Sequence, residues 1–165
     1  KNNVFKNSVN GTQGLGVDDI HPSQKMKRIK IVNNLFLGIE TYFLRMADGE
    51  DVEIANNTVF HGGNMITAYG RPQTRFVLRD NIFPFNEYGF AGDNGVGAKN
   101  ILAYMPGGVF RNNAVVRNNT GEEYPLNLPG GNFEIRGFGG VGFVNYAGKN
   151  FRLAANSRLK GRSTT

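Results

Sequence analysis

Val52-Glu53-Ile54-Ala55-Asn56-Asn57-Thr58-Val59 is the stretch on which the fold turns. Apolar Val52 and Ile54 alternate with polar or small neighbours, the period-2 pattern of a strand with one buried face. The Asn pair then bends the chain, because Asn tolerates the left-handed backbone region and its amide both donates and accepts. Val59 returns to the buried side two residues later. The same phrase recurs as Ile29-Lys30-Ile31-Val32-Asn33-Asn34-Leu35-Phe36 and as Phe76-Val77-Leu78-Arg79-Asp80-Asn81-Ile82-Phe83. A further copy is Val109-Phe110-Arg111-Asn112-Asn113-Ala114-Val115, and the chain opens on the half copy Asn2-Asn3-Val4-Phe5.

The second Asn of each copy stands at 3, 34, 57, 81 and 113, giving steps of 31, 23, 24 and 32 residues. Two steps share a base length, and two are longer by about eight residues, as when loops of variable length leave a repeated unit. That spacing predicts a solenoid of stacked short strands. Asn34, Asn57, Asn81 and Asn113 should form a structural ladder, with Phe36, Val59, Phe83 and Val115 in a buried column. Each such side chain stabilises by about 1.5–3 kcal/mol, but only when neighbouring units stack.

Composition supports a turn-rich all-β chain. Among 165 residues there are 23 Gly and 13 Phe, with neither Trp nor Cys. Gly and Asn suit left-handed turn positions. Without Cys there are no disulfides, thiolate metal sites or Cys nucleophiles. The formal charge of +6 favours attraction to polyanions. No nucleic-acid-binding signature accompanies the scattered Lys and Arg, so a nucleic-acid partner is not expected. No apolar run reaches the roughly 18 residues of a membrane span, and these residues carry no signal-peptide pattern, as expected of a processed chain or a fragment.

The rungs resemble those of the right-handed parallel β-helix superfamily, whose pectate-lyase-type phrase reads V-x-I-x-N-N-x-F. They resemble in particular secreted bacterial β-helix repeat proteins of unassigned function. A D-x-H-P-S-type loop (Val17-Asp18-Asp19-Ile20-His21-Pro22-Ser23) and the closing phrase Asn150-Phe151-Arg152-Leu153-Ala154-Ala155-Asn156-Ser157 carry that likeness. It departs at Arg158, where related chains have Pro. The resemblance implies an all-β, single-stranded right-handed parallel β-helix. It implies one domain over 1–165, the C-terminal coils of a longer protein, with 158–165 a flexible tail. An extracellular, periplasmic or cell-surface location is implied too. Within the chain, Phe85–Gly108 is expected as a long excursion with one helix turn from Ala98 to Met105, and 119–140 as irregular loop.

Candidate chemistry follows in three groups. Asp18, Asp19 and His21 could act as acid and base or bind a metal, although Asp and Ser also cap turns. Asp48, Glu50 and Asp51 sit before a rung, where the resemblance places acidic calcium ligands. Calcium takes about six to eight oxygens, so three carboxylates supply part of a site. A solvated acidic turn is the preferred account of them. The resemblance adds a basic residue beside the calcium as the lyase's base, with Arg45, Arg71 and Arg75 as candidates. Hydrolysis would need two carboxylates about 5–9.5 Å apart, from among Asp18, Asp19, Asp48 and Asp51. Finally Tyr42, Tyr69, Tyr88, Phe90 and Tyr104 lie at or beyond the rung edges and could stack on sugar rings. Gly92-Asp93-Asn94-Gly95-Val96-Gly97 lacks the Gly-Lys-Ser/Thr ending of a phosphate loop and reads as a surface turn.

These readings converge on a secreted or cell-surface module that binds polysaccharide or another acidic glycan without catalysis. Calcium is the one cofactor left open. The alternatives are a calcium-dependent polysaccharide lyase, a hydrolase, or a structural subunit of a surface assembly or filament. The last would use an open N-terminal rung that pairs with a partner chain or with preceding coils.

Overall fold

A computed structural model describes residues 2–9, 11–15, 26–117 and 128–163, with the side chains of 12–15 left aside. The chain begins with β1 (Val4–Ser8) and β2 (Thr12–Leu15). Three similar passes follow: β3 (Met26–Val32), β4 (Leu35–Ile39), β5 (Leu44–Ala47); β6 (Gly49–Ala55), β7 (Thr58–His61), β8 (Ile66–Ala68); and β9 (Thr74–Arg79), β10 (Ile82–Pro84), β11 (Phe90–Gly92). Next come β12 (Gly95–Val96), α1 (Ala98–Tyr104), β13 (Val109–Arg111) and β14 (Ala114–Arg117). The chain closes with β15 (Phe133–Arg136), a 3-10 turn at Phe138–Val141, β16 (Phe143–Asn145) and β17 (Asn150–Leu153).

These strands form four separate sheets. Sheet A has the order β1-β4-β7-β10-β14-β15, sheet B β12-β11-β8-β5-β2, sheet C β13-β9-β6-β3, and sheet D is the pair β16-β17. Sheets A and C are parallel throughout. Sheet B is mixed, because β11 and β12 pair antiparallel across Asp93-Asn94, and sheet D is antiparallel. The all-β class therefore holds, but the expected single-stranded right-handed β-helix is corrected. The strands fall into separate parallel and mixed sheets, and none closes on itself. The repeat encodes parallel pairing between strands one long connection apart, which open sheets satisfy equally well.

Register explains the core. Phe5 pairs with Phe36, Phe36 with Val59, and Phe83 with Val115 along sheet A. Phe36, Val59, Phe83 and Val115 are buried, together with Val52, Ile54, Phe76 and Leu78 from sheet C and Leu44, Met46, Ile66 and Phe90 from sheet B. A second core lies on the other face of sheet A. There Ala114, Val116, Ile135, Val141 and Leu159 are buried, packed with Ile82, Phe133, Phe138, Phe143 and Leu153. Strand β14 is thus covered on both faces, and Ala114-Val115-Val116 has the unbroken apolar run such a strand needs.

The expected helix turn forms as α1, and the described parts of the two regions expected as excursion and irregular loop carry further regular structure. The excursion after Phe85 folds as β11, β12 and α1, and delivers Phe90, Ile101, Tyr104 and Met105 into the main core. Within 119–140, residues 128–140 carry β15 and most of the 3-10 turn; the rest, 119–127, lies outside the described residues. In the expected tail, Leu159 is buried.

Candidate functional site

From Asn33-Asn34 onward each corner pair joins a strand of sheet C to the next strand of sheet A, and Asn2-Asn3 leads into β1. The first residue of the pair is left-handed at every corner: Asn2, Asn33, Asn56, Asp80 and Asn112 have φ of 62, 56, 56, 57 and 53°. Asn and Asp are the non-Gly residues that adopt this region most readily. The second residue joins an amide ladder, exposed at Asn3 and buried from Asn34 to Asn113. The Asn57 Oδ1 accepts from the Asn34 backbone N–H (2.9 Å) and from Asn34 Nδ2 (3.1 Å). Asn81 Oδ1 receives the same two bonds from Asn57 at 3.0 Å each, and Asn113 receives them from Asn81 at 3.1 and 3.0 Å. Asn34 receives them from Asn3 at 3.1 and 3.3 Å.

The ladder continues one rung further than the Asn-Asn phrase indicates. Asn132 Oδ1 accepts from Asn113 N–H (3.0 Å) and Nδ2 (2.9 Å). The left-handed corner there is Gly131, with φ 88°. Gly takes the role that Asn plays elsewhere, so a search for Asn pairs misses it. The signal was present in Gly131-Asn132-Phe133-Glu134-Ile135, a corner followed by an alternating strand.

With one amide of each pair committed inward, the other faces out. Asn2 and Asn33 are exposed and Asn56 is half-buried. Together with Val4, Leu35 and Thr58 they form one side of an open groove of about 600 Å³. The opposite side is the sheet D hairpin, which contributes Lys149, Asn150, Phe151 and Arg152. An aromatic cluster holds that hairpin on sheet A. Phe60, on the outer face of β7, has ring centroids 4.6 Å from Phe151 and 4.7 Å from Phe138, and Phe151 meets Phe143 edge-on at 5.4 Å. The groove therefore joins a row of amides at strand spacing to an anchored aromatic ring and two cations.

The described residues singled out in the sequence for chemistry do not line this groove. Asp18, Asp19 and His21 lie outside the described residues. Glu50 and Asp51 do not converge with Asp48 on a cation-sized cradle. Arg75 bonds both Glu50 and Asp51, and Lys27 reaches Glu50 at 3.4 Å. The Arg75 hydrogen bonds hold both carboxyls below their ordinary range and push the guanidinium pKa up. Asp48 is buried at a left-handed position, with φ 45°. The expected calcium set is therefore corrected: Glu50 and Asp51 belong to a cross-strand charge ladder on sheet C. Lys30–Glu53 (3.1 Å), Arg79–Glu53 (2.8 Å) and Arg79–Asp80 (2.7 Å) form its second tier. No group of three His, Asp or Glu among the described residues could hold a metal.

Arg45 lies over the Tyr69 ring, 4.9 Å from its centroid, a cation–π contact between β5 and the chain following β8. Tyr42, Tyr69 and Tyr88 are half-buried. Phe90 and Tyr104 are buried core residues, which corrects their expected role as sugar platforms. Tyr104 accepts a hydrogen bond from Asn94 Nδ2 at 3.0 Å. His61 is buried beside Asn86, and its Nε2 has no hydrogen-bond partner among the described residues. Burial pushes its pKa down to about 3, so it is neutral at physiological pH.

Among the described residues no helix is long and apolar enough to cross a membrane. Compared with known protein families, curated proteins and solved structures, the chain matches none of them.

Proposed function

We propose that the chain is a non-catalytic, secreted or cell-surface module that holds a polysaccharide chain in the groove between the Asn corners and the sheet D hairpin. The observation carrying this reading is the outward row Asn2, Asn33 and Asn56 facing Phe151 across that groove. Strands of a sheet repeat about every 4.8 Å, so the row offers an amide at each step of an extended, hydroxyl-rich ligand. An amide donates to one hydroxyl oxygen and accepts from another. Phe151 supplies an apolar face of the kind that fixes a ligand among a few polar groups. Lys149 and Arg152 favour a chain that carries acidic substituents.

The test is a glycan array followed by calorimetry on whatever binds. Asn33→Ala and Phe151→Ala should each weaken binding about tenfold, with far-UV circular dichroism unchanged. Absence of binding to every glycan class, or variants that bind like the parent, would sink the reading.

A second reading, a subunit of a surface assembly, rests on one observation. Edge strand β1 exposes Val4 (57%) and Phe5 (45%), and an exposed apolar edge favours pairing with another strand. Sedimentation at rising concentration separates the two, since a monomer throughout leaves that edge without a partner strand.

A further inference from the structure

Five outward corner side chains form a row, Gly131 at the sixth corner having none, but the open groove takes in only three of them. From Asn56 onward the row passes beneath the C-terminal segment. Ser163 Oγ donates to Asn56 Oδ1 at 2.9 Å. Asn112 Nδ2 donates to the Arg162 carbonyl at 3.2 Å. Between them a narrow pocket of about 110 Å³ is lined by Asn56, Asp80 and Asn112 on one side and Leu159, Arg162 and Ser163 on the other. Exposure changes in step: Asn2 and Asn33 are exposed, whereas Asn56, Asp80 and Asn112 are half-buried. The segment is anchored by Leu159, which is buried in the outer core, and by Arg158 Nη2 donating to the Glu134 carbonyl at 3.1 Å.

The serine hydroxyl that donates to one corner amide and the peptide carbonyl that accepts from another fill the donor and acceptor roles that the hydroxyls of a sugar chain would fill. We propose that residues 160–163 act as an internal ligand. On this proposal they occupy the far half of a binding strip that runs over all five corners, and a long ligand displaces them. The strip would then extend from about 10 Å to about 19 Å, taking two and then four strand intervals. The proposal rests on the groove reading for the nature of the ligand, but not for the existence of the strap. Only Asn56 belongs to both halves, so short ligands meet little competition and long ones meet all of it.

The experiment compares the full chain with a chain ending at Lys160, which keeps Leu159 and its packing. The probes are cello-oligosaccharides and oligogalacturonates from dimer to octamer, together with a synthetic Lys-Gly-Arg-Ser peptide. The expected result is about tenfold tighter octamer binding to the shortened chain, with dimer binding nearly unchanged. Ser163→Ala in the full-length chain should shift octamer binding the same way by a few-fold, and it covers the case in which truncation perturbs folding. Equal octamer affinity across all three chains overturns the strap and leaves the groove reading intact. If no oligosaccharide binds but the peptide binds the shortened chain and not the full one, the strap stands and the glycan reading falls. If neither oligosaccharide nor peptide binds the shortened chain, both fall.

Discussion

Replacing Asn57 by Ala removes the middle of the amide ladder while leaving the corner backbone in place. Asn57 Oδ1 accepts two bonds from Asn34, and its Nδ2 donates to the Ile31 carbonyl (2.8 Å) and to Asn81 Oδ1 (3.0 Å). The site is closed to water, since Asn57 is 1% exposed. A typical bond contributes about 0.5–1.5 kcal/mol net, and a buried group left unpaired costs about 1–3 kcal/mol. Four lost bonds, with the Asn34 N–H among the orphaned groups, give a loss of about 3–5 kcal/mol. That is a large share of the roughly 5–15 kcal/mol that holds a domain together. Asn3→Ala is the internal control. Asn3 is exposed, its side chain makes a 3.3 Å bond to Asn34, and its backbone N–H keeps its own 3.1 Å bond. A loss under about 0.5 kcal/mol is expected there. Urea unfolding followed by far-UV circular dichroism gives both values, with equal m-values required for the comparison. Equal losses under about 1 kcal/mol at both positions would refute the ladder as a stabilising device.

Acid should weaken the fold in two stages. His61 has a folded pKa near 3 against an ordinary 6.5, so the unfolded chain takes up a proton that the folded one refuses. Stability is full above pH 6.5 and falls as pH drops through it, by about 2 kcal/mol at pH 5; His61→Gln should flatten the urea midpoint between pH 5 and 7. The second stage comes from Glu50, Asp51 and Glu53, whose folded pKa values lie below 4.5, 3.8 and 4.5 respectively. Their contribution is present above those values and is lost as pH falls through the lowered ones. Gly92→Ala places a Cβ 1.7 Å from the Ala68 carbonyl oxygen and should cost about 3 kcal/mol, whereas Gly130→Ala meets nothing within 4 Å among the described residues and should be neutral in the same thermal melt. Phe60→Ala removes the ring on which the hairpin sits; about 2 kcal/mol of stability should go, and amide exchange in β16 and β17 should quicken while sheet C is unaffected.

Much of the inner architecture was legible because it is periodic. Two apolar positions, a corner pair and an apolar return are enough to locate β3, β4, β6, β7, β9, β10, β13 and β14. What escaped is aperiodic. Whether parallel sheets close into one solenoid depends on the connections between strands, and the repeat says nothing of those. The outer core escaped because its partners, Ala114 and Val116 on one side and Phe143 and Leu153 on the other, come from different kinds of element. Its one sequence sign was the lost alternation at Ala114-Val115-Val116. Phe90 and Tyr104 were misplaced for a related reason. An excursion between rungs reads as surface, yet this one folds back as a hairpin and a helix turn that fill the main core.

The acidic residues escaped differently. Asp48, Glu50 and Asp51 look like a cluster only when the neighbouring strands are ignored. Lys27 and Arg75 stand 23 residues before and 25 after Glu50 in sequence, close to one repeat in each direction, so the repeat brings opposite charges beside it. At this spacing a carboxylate in one strand is better explained by a cation in the next than by a metal.

The Asn corner divides two tasks between adjacent residues. The inward amide is fixed by geometry, since Asn34, Asn57, Asn81 and Asn113 each bond the next Asn, ending at Asn132, and only Gln, one methylene longer, carries the same donor and acceptor pair. The outward residue needs only to tolerate the left-handed backbone, and the chain uses that freedom: Asn at four corners, Asp80 at one and Gly131 at another. Asp80 answers Arg79 at 2.7 Å, so the outward position takes its side chain from its surroundings while the ladder behind it is unchanged. On the proposed groove reading, side chains along this row could change specificity without loss of fold. Exchanging Asn33 for Asp should alter which glycans bind while the urea midpoint stays near that of the parent. A fall in stability as large as that of Asn57→Ala would show that the two tasks are not separate.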